Sequence, residues 1–161
     1  MAKRMIPNCN DTQKMISALT GAQANASTLG KPWQPTSEFF YVGTFSNENE
    51  QTLALVQIDL PLAASLSVLL TRFMPGMAEE AIAAKGLSKD LCLNLREIMN
   101  IFSSKLNTEH VPHIVFQDIF LNKDLPETVI TLLNQEPTER ADYSVELPNY
   151  FDGKLTFLTF D

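Results

Sequence analysis

The sequence has no long hydrophobic segment and few residues that form covalent or metal cross-links. No apolar run approaches the ~20 residues that span a bilayer, and the first residues lack the apolar core of a signal peptide. The only two cysteines, Cys9 and Cys92, are far apart in the chain. We therefore expect a reduced, cytoplasmic protein without a disulfide or a membrane partner.

Basic residues are also scarce. Twelve Lys and Arg stand against 19 Asp and Glu, which gives a formal net charge of −7. A nucleic-acid surface needs clustered basic side chains to neutralise phosphates, and an anionic membrane attracts the same side chains. The composition therefore predicts no nucleic-acid partner, but it permits a protein partner with a basic rim.

The length of 161 residues fits one domain with a sizeable core. Residues 1–36 are predicted to supply an N-terminal helix and a connecting loop. Asn10 or Asp11 would cap this helix, which runs to Leu19. The connection over 21–35 contains two prolines, so we expect no regular element there, with Trp33 holding it to the body of the domain.

Residues 37–161 are predicted to form the sheet and its covering helices. Aromatic and β-branched segments predict strands, at 39–45, 52–58, 111–120, 141–147 and 154–160. The last turn is expected to have its tip at Asp152-Gly153. Segment 128–133 fits either a strand or a short helix. The first two strands form an antiparallel hairpin.

Helices are predicted after Asp59 and after Ser88, because an acid or a hydroxyl at these positions can accept from the free N–H groups of the first turn. A further short helix is predicted over 77–84. Pro61 favours the first of these starts. The elements together predict an α+β domain, with an antiparallel or mixed sheet and long helices packed on it.

The helix over 91–106 has two different faces. Its apolar residues recur at the spacing of a core-facing stripe, namely Leu91, Leu95, Ile98, Phe102 and Leu106. Glu97, Asn100 and Ser104 share the opposite face, because residues three or four apart are neighbours on a helix. Leu93 and Ile101 flank Glu97. The pattern fits a contact surface, and it also fits an ordinary solvated face.

The motifs of common catalytic sites are missing elsewhere in the chain. There is no Gly-rich phosphate loop and no nucleophilic serine or cysteine motif. His110 and His113, near Glu109, are the one pair that suggests a metal-dependent hydrolase. Pro112 stands between the two histidines at a predicted strand start and is expected to turn their rings in different directions, so we expect no metal on this chain.

Glu97 and Asn100 carry a possible chemistry of their own. A side-chain amide both accepts from and donates to water, so Asn100 can hold a nucleophilic water in line with a phosphorus atom. An acid one turn away can pair with a cation of a partner. This arrangement needs no metal on the chain if the substrate brings its own.

Residues 97–104, EIMNIFSS, resemble the motif helix of the CheC/CheX family of chemotaxis phosphatases, which reads roughly EIxNIxxG. The order of elements also resembles a single-motif, CheX-like chain. The resemblance implies dephosphorylation of the aspartyl phosphate of a CheY-like response regulator. It implies that Asn100 orients the attacking water, that Glu97 contacts the active-site lysine of the regulator, and that Mg²⁺ sits on the regulator. It also implies a homodimer built through the sheets.

This helix departs from the family pattern at two positions. The family usually has Asp or Ser four residues before the Glu, where this chain has Leu93, and Gly where it has Ser104. Together with Ile101, these residues are the predicted partner-binding positions. Two hypotheses follow: an active phosphatase, and a non-catalytic CheX-like module that binds a receiver domain or another signalling partner.

Overall fold

The computed structural model describes residues 3–161 and confirms the α+β fold. The strands are β1 (Asn25–Thr28), β2 (Phe40–Ser46), β3 (Thr52–Asp59), β4 (Val115–Leu121), β5 (Glu139–Glu146) and β6 (Gly153–Thr159). The helices are α1 (Cys9–Thr20), α2 (Leu60–Leu70), α3 (Gly76–Ala83), α4 (Lys89–Leu106) and α5 (Glu127–Leu133). The strands form one antiparallel sheet in the order β1-β5-β6-β3-β2-β4.

The two faces of the sheet are covered differently. Helices α1, α2 and α4 pack on one face around a large core that includes Ile16, Leu66 and Phe157. Helix α3 packs against α2 through Ala78 and Ala81. Helix α5 covers a smaller apolar cluster on the opposite face, built on Val42, Leu55, Val129 and Leu158. Across residues 3–161, no helix has the length and apolar character that a membrane span requires.

The predicted surface connection over 21–35 is wrong in one part, because residues 25–28 form edge strand β1. This strand pairs with β5, and Asn25 lies opposite Glu146. It is short and mostly polar, so it lacks the alternation that identifies a strand from sequence. The prediction for Trp33 is confirmed, since its side chain is buried and its backbone N–H donates to Asp142 Oδ1 at 2.9 Å.

Residues 127–133 form a helix, which decides between the two alternatives left open. Other boundaries differ from the predictions. Helix α1 is capped by Asn8, whose side chain accepts from the Asp11 N–H at 2.8 Å, and not by Asn10 or Asp11. Strand β4 begins at Val115, after the proline. The last turn has its bend at Pro148-Asn149, where Asn149 has a φ of +67°, so the predicted tip at Asp152-Gly153 is wrong. Asp152 instead accepts from the Leu147 N–H at 3.0 Å.

Asp59 joins the start of α2 to strand β6. Its Oδ1 accepts from the Leu62 N–H at 3.1 Å, which is the predicted helix cap. Its Oδ2 accepts from the Lys154 N–H at 3.0 Å. Burial disfavours the charged carboxylate and raises its pKa from 3.8 to about 6, although both hydrogen bonds act in the opposite direction.

The Asp59 pKa predicts a pH-dependent stability. The folded protein holds this proton more tightly than the unfolded chain, so the contribution of Asp59 is largest below pH 3.8 and is lost as pH rises through about 6. We expect the difference in the free energy of unfolding, wild type minus Asp59→Asn, to fall by about 2 to 3 kcal/mol as pH rises through this window. Urea titrations of both proteins between pH 4 and 7.5 measure the difference. A constant difference would contradict the assigned pKa.

Candidate functional site on helix α4

Helix α4 is held in place along its length. The Ser88 hydroxyl accepts from the Leu91 N–H at 3.3 Å, as predicted for its start, and Asp90 adds favourable negative charge to the first turn. The helix buries a stripe that contains all the predicted residues and one more, Met99. The stripe is Leu91, Leu95, Ile98, Met99, Phe102 and Leu106. The Gly43 backbone permits this packing, because a Cβ there would lie 2.7 Å from Met99 Sδ.

Polar contacts fix the sides and the end of α4. Asn94 Nδ2 donates to the Ser67 carbonyl at 2.8 Å, which ties α4 to α2. Arg96 pairs with Asp118 and stacks 5.1 Å above the Phe116 ring, which ties α4 to β4. Buried Arg4 donates to the Leu106 carbonyl at 2.8 Å. None of these three anchors could be predicted from local sequence, because each depends on a partner remote in sequence.

Glu97 and Asn100 lie exposed on the outer face of this fixed helix. They are about 4.5 Å apart along the helix axis at the standard rise of 1.5 Å per residue. Within residues 3–161, neither side chain makes a hydrogen bond or an ion pair. Both are therefore available to water and to a partner, on a helix whose position is set by its buried stripe.

The three predicted partner-binding residues have different environments. Leu93 is 57% exposed and stands one turn before Glu97. Ser104 is exposed and donates its hydroxyl to the Ile101 carbonyl at 2.8 Å. Ile101 is half-buried and lines a groove between α4 and α1. The exposed face therefore combines one free apolar side chain with one acid and one amide.

The groove beside Ile101 extends the exposed face toward α1. It has a volume of about 460 Å³, and Met15, Ala18 and Leu19 form its apolar wall. Lys14 and Lys105 also line it. No local pattern in α1 predicts this groove, because it forms only where α1 packs beside α4.

His110 and His113 lie exposed in the connection from α4 to β4. His110 has a φ of +69°, and its Nε2 is 3.9 Å from Glu109 Oε2 with both side chains in solvent. Across residues 3–161, no group of three His, Cys, Asp or Glu side chains is arranged to hold a metal. The geometry therefore offers no support for a hydrolase built on these histidines.

The chain has the fold shared by CheC-like and CheX proteins and by FliY. FliY from Thermotoga maritima superposes with a TM-score of 0.60 and 12% identity, over 92% of this chain and 81% of that chain. A CheC-like superfamily protein from Shewanella sp. PV-4 gives 0.55 and 8%, over 94% of each chain. A chain of the CheX–CheY–BeF3–Mg²⁺ complex from Borrelia burgdorferi gives 0.50 and 10%, over 92% of each chain.

The predicted CheC-like fold is thus confirmed by structure. No protein-family model and no curated protein matches the sequence. At 8 to 12% identity the three structures establish the fold, and a fold of this kind does not by itself define an activity. The functional information therefore lies in the side chains on the exposed face of α4.

Proposed function

We propose that this protein removes the phosphoryl group from the aspartyl phosphate of a CheY-like receiver domain in chemotaxis or two-component signalling. The observation that carries the proposal is the free, exposed pair of Glu97 and Asn100 on a helix anchored on two sides and at its end. The CheC-like fold and the resemblance of residues 97–104 to the CheX motif support it. With a receiver-domain partner, the protein would act in the cytoplasm.

In the proposed reaction this chain supplies two polar side chains, one that positions water and one that pairs with the partner. Asn100 would accept a hydrogen bond from a water molecule and aim it at phosphorus. The new bond joins water oxygen to phosphorus, and the bond from phosphorus to the carboxylate oxygen breaks, which releases inorganic phosphate. Glu97 would pair with the active-site lysine of the receiver and set the register. Mg²⁺ would be held by the receiver.

The direct test is the decay of phosphorylated receiver domains with and without this protein. One of the structurally similar chains comes from a complex of CheX with CheY, so CheY-like receivers of the same genome are the first substrates to assay. We expect at least a tenfold faster loss of phosphate with the cognate receiver. No acceleration with any receiver would overturn the phosphatase proposal.

The second candidate function is a non-catalytic module that binds a receiver domain. The observation that favours it is Leu93, an exposed apolar side chain at the position where CheC/CheX proteins usually have Asp or Ser. An apolar contact in that place favours lasting association, because its burial stabilises the complex. This module would bind the receiver without changing the lifetime of its phosphate.

Leu93→Asp separates the two candidates. Under the binding-module hypothesis, a buried, unpaired charge should weaken receiver binding at least a hundredfold. Under the phosphatase hypothesis the variant keeps binding and turnover, because the family carries an acid there. Calorimetric titration and the phosphate assay measure the two effects. Met74→Asp is the matched control, since Met74 is 77% exposed in the connection between α2 and α3.

The resemblance also implies a homodimer built through the sheets, which we retain as part of the proposal. The sheet order supports it, because β1 and β4 are the two edge strands. Of these, β4 is seven residues long and begins at Val115, which is 53% exposed. An edge of this kind can pair with another strand. In this arrangement the outer face of α4 would remain open to the receiver.

A further inference from the structure

The groove between α1 and α4 continues the exposed face that carries Glu97. Ile101 lies one turn after Glu97, about 6 Å along the helix axis, and Lys105 lies one turn further, at about 12 Å. Both residues line the groove. Each step of four residues also rotates by about 40° around the axis. The row of Glu97, Ile101 and Lys105 therefore turns from the exposed face of α4 toward α1.

The groove has an apolar floor that is open to solvent. Met15 is buried, Leu19 and Ile101 are half-buried, and Ala18 is exposed beside them. The short side chain of Ala18 leaves open a volume of about 460 Å³ between the two helices. Because burial of apolar surface is favourable, such a groove takes a large apolar side chain more readily than a polar one.

Lys105 supplies an unpaired positive charge at the rim of the groove. The side chains of Lys105 and Lys14 are exposed, and neither pairs with a carboxylate among residues 3–161. Asp11 also lines the groove and stands three residues before Lys14 on α1, where its charge offsets that of Lys14. One positive charge therefore remains, on a chain whose net charge is −7. A carboxylate of a partner complements Lys105, whereas a cation of the same partner complements Glu97.

The size of a protein interface decides what would cover the groove. A stable interface buries about 800 Å² on each partner, which corresponds to a patch of about 16 Å radius. Lys105 is only about 12 Å along the axis from Glu97. A receiver domain seated on Glu97 and Asn100 would therefore also cover Lys105 and the groove.

We propose that the groove receives a large apolar side chain of the receiver domain, and that a carboxylate beside this side chain pairs with Lys105. The inference rests on the proposed function, because it takes the receiver domain as the partner. It adds a recognition pattern to that function. The partner presents a lysine to Glu97, an apolar side chain about 6 Å away and an acid about 12 Å away along α4. Since the active-site lysine is common to receiver domains, the groove and Lys105 distinguish one receiver from another.

Calorimetric titration with each CheY-like receiver of the same genome, loaded with BeF3⁻ and Mg²⁺, tests the pattern without relying on phosphatase activity. Lys105→Glu places a carboxylate opposite the acid of the partner. We expect about tenfold weaker binding of the cognate receiver, and the difference should shrink at high salt, because salt screens exposed charges. Ala18→Glu puts a charged side chain into the groove and should weaken binding at least tenfold.

Two control variants carry the same changes elsewhere. Lys31→Glu reverses an exposed charge in the connection between β1 and β2, and Ala83→Glu adds an acid at the exposed end of α3. Both should bind the receiver as wild type does. Neither test variant should lose its fold, because Ala18 and Lys105 are exposed and Glu is a good helix former.

The outcomes separate this inference from the proposed function. Wild-type affinity in both Lys105→Glu and Ala18→Glu would overturn the inference, and accelerated loss of phosphate would then still support the phosphatase. Weaker binding of both variants to a receiver whose phosphate is not removed would support the inference and overturn the phosphatase. If sedimentation shows that the variants dissociate a dimer while they keep their affinity for the receiver, the groove joins two copies of this chain and the inference is wrong. Failure of every receiver to bind wild type would overturn both.

Discussion

Asn100→Ala should slow the loss of phosphate from the cognate receiver domain about a hundredfold, with little change in affinity. Removing one preorganised polar group from a reacting centre typically has an effect of this size. The fold should be unaffected, because the Asn100 side chain is exposed and makes no hydrogen bond within residues 3–161, and Ala is a better helix former than Asn. Single-turnover decay of the phosphorylated receiver measures the rate, and a titration measures the affinity.

Asn49→Ala is the matched control for this result. Asn49 is an exposed amide in the turn between β2 and β3, away from α4, and its removal should leave the rate unchanged. If Asn100→Ala and wild type accelerate the decay equally, Asn100 does not position the water. If neither accelerates it but both bind the receiver, the binding-module hypothesis takes the place of the phosphatase.

Gly153→Ala should destabilise the protein by about 3 kcal/mol, at the upper end of the cost of overpacking. A Cβ at this position would lie 2.1 Å from Asp59 Oδ1 and 2.5 Å from Leu62 Cβ. Both are held firmly, since Asp59 caps α2 and also accepts from the Lys154 N–H. The methyl group would therefore break the cap or push α2 away from β6. Urea unfolding at pH 7.5 measures the loss.

Gly30→Ala is the control for glycine replacement itself. Gly30 is exposed, and a Cβ there meets no atom within 4 Å, so its replacement should change the free energy of unfolding by less than about 0.5 kcal/mol. Equal stabilities of the two variants would show that the junction of α2 with β6 adjusts without cost. The position of Asp59 would then be looser than the structure indicates.

Helix α4 shows what the sequence determined by itself. The spacing of Leu91, Leu95 and Ile98 defines a buried stripe, and the remaining positions must face outward, which placed Glu97 and Asn100 on one exposed surface. Ser88 and Asp59 were recognisable as helix caps because a cap acts on N–H groups two or three residues away. The hairpin of β2 and β3 was likewise predicted from local composition and a short turn.

Tertiary structure alone decided the features that depend on distant partners. Strand β1 carries no pattern of its own and exists because β5, more than a hundred residues later, offers it an edge. Ile101 lies one turn from Glu97, as its spacing requires, and it becomes part of a groove only because α1 packs beside it. Local spacing predicts which side of a helix or strand is buried. Long-range packing decides which distant residues that side contacts.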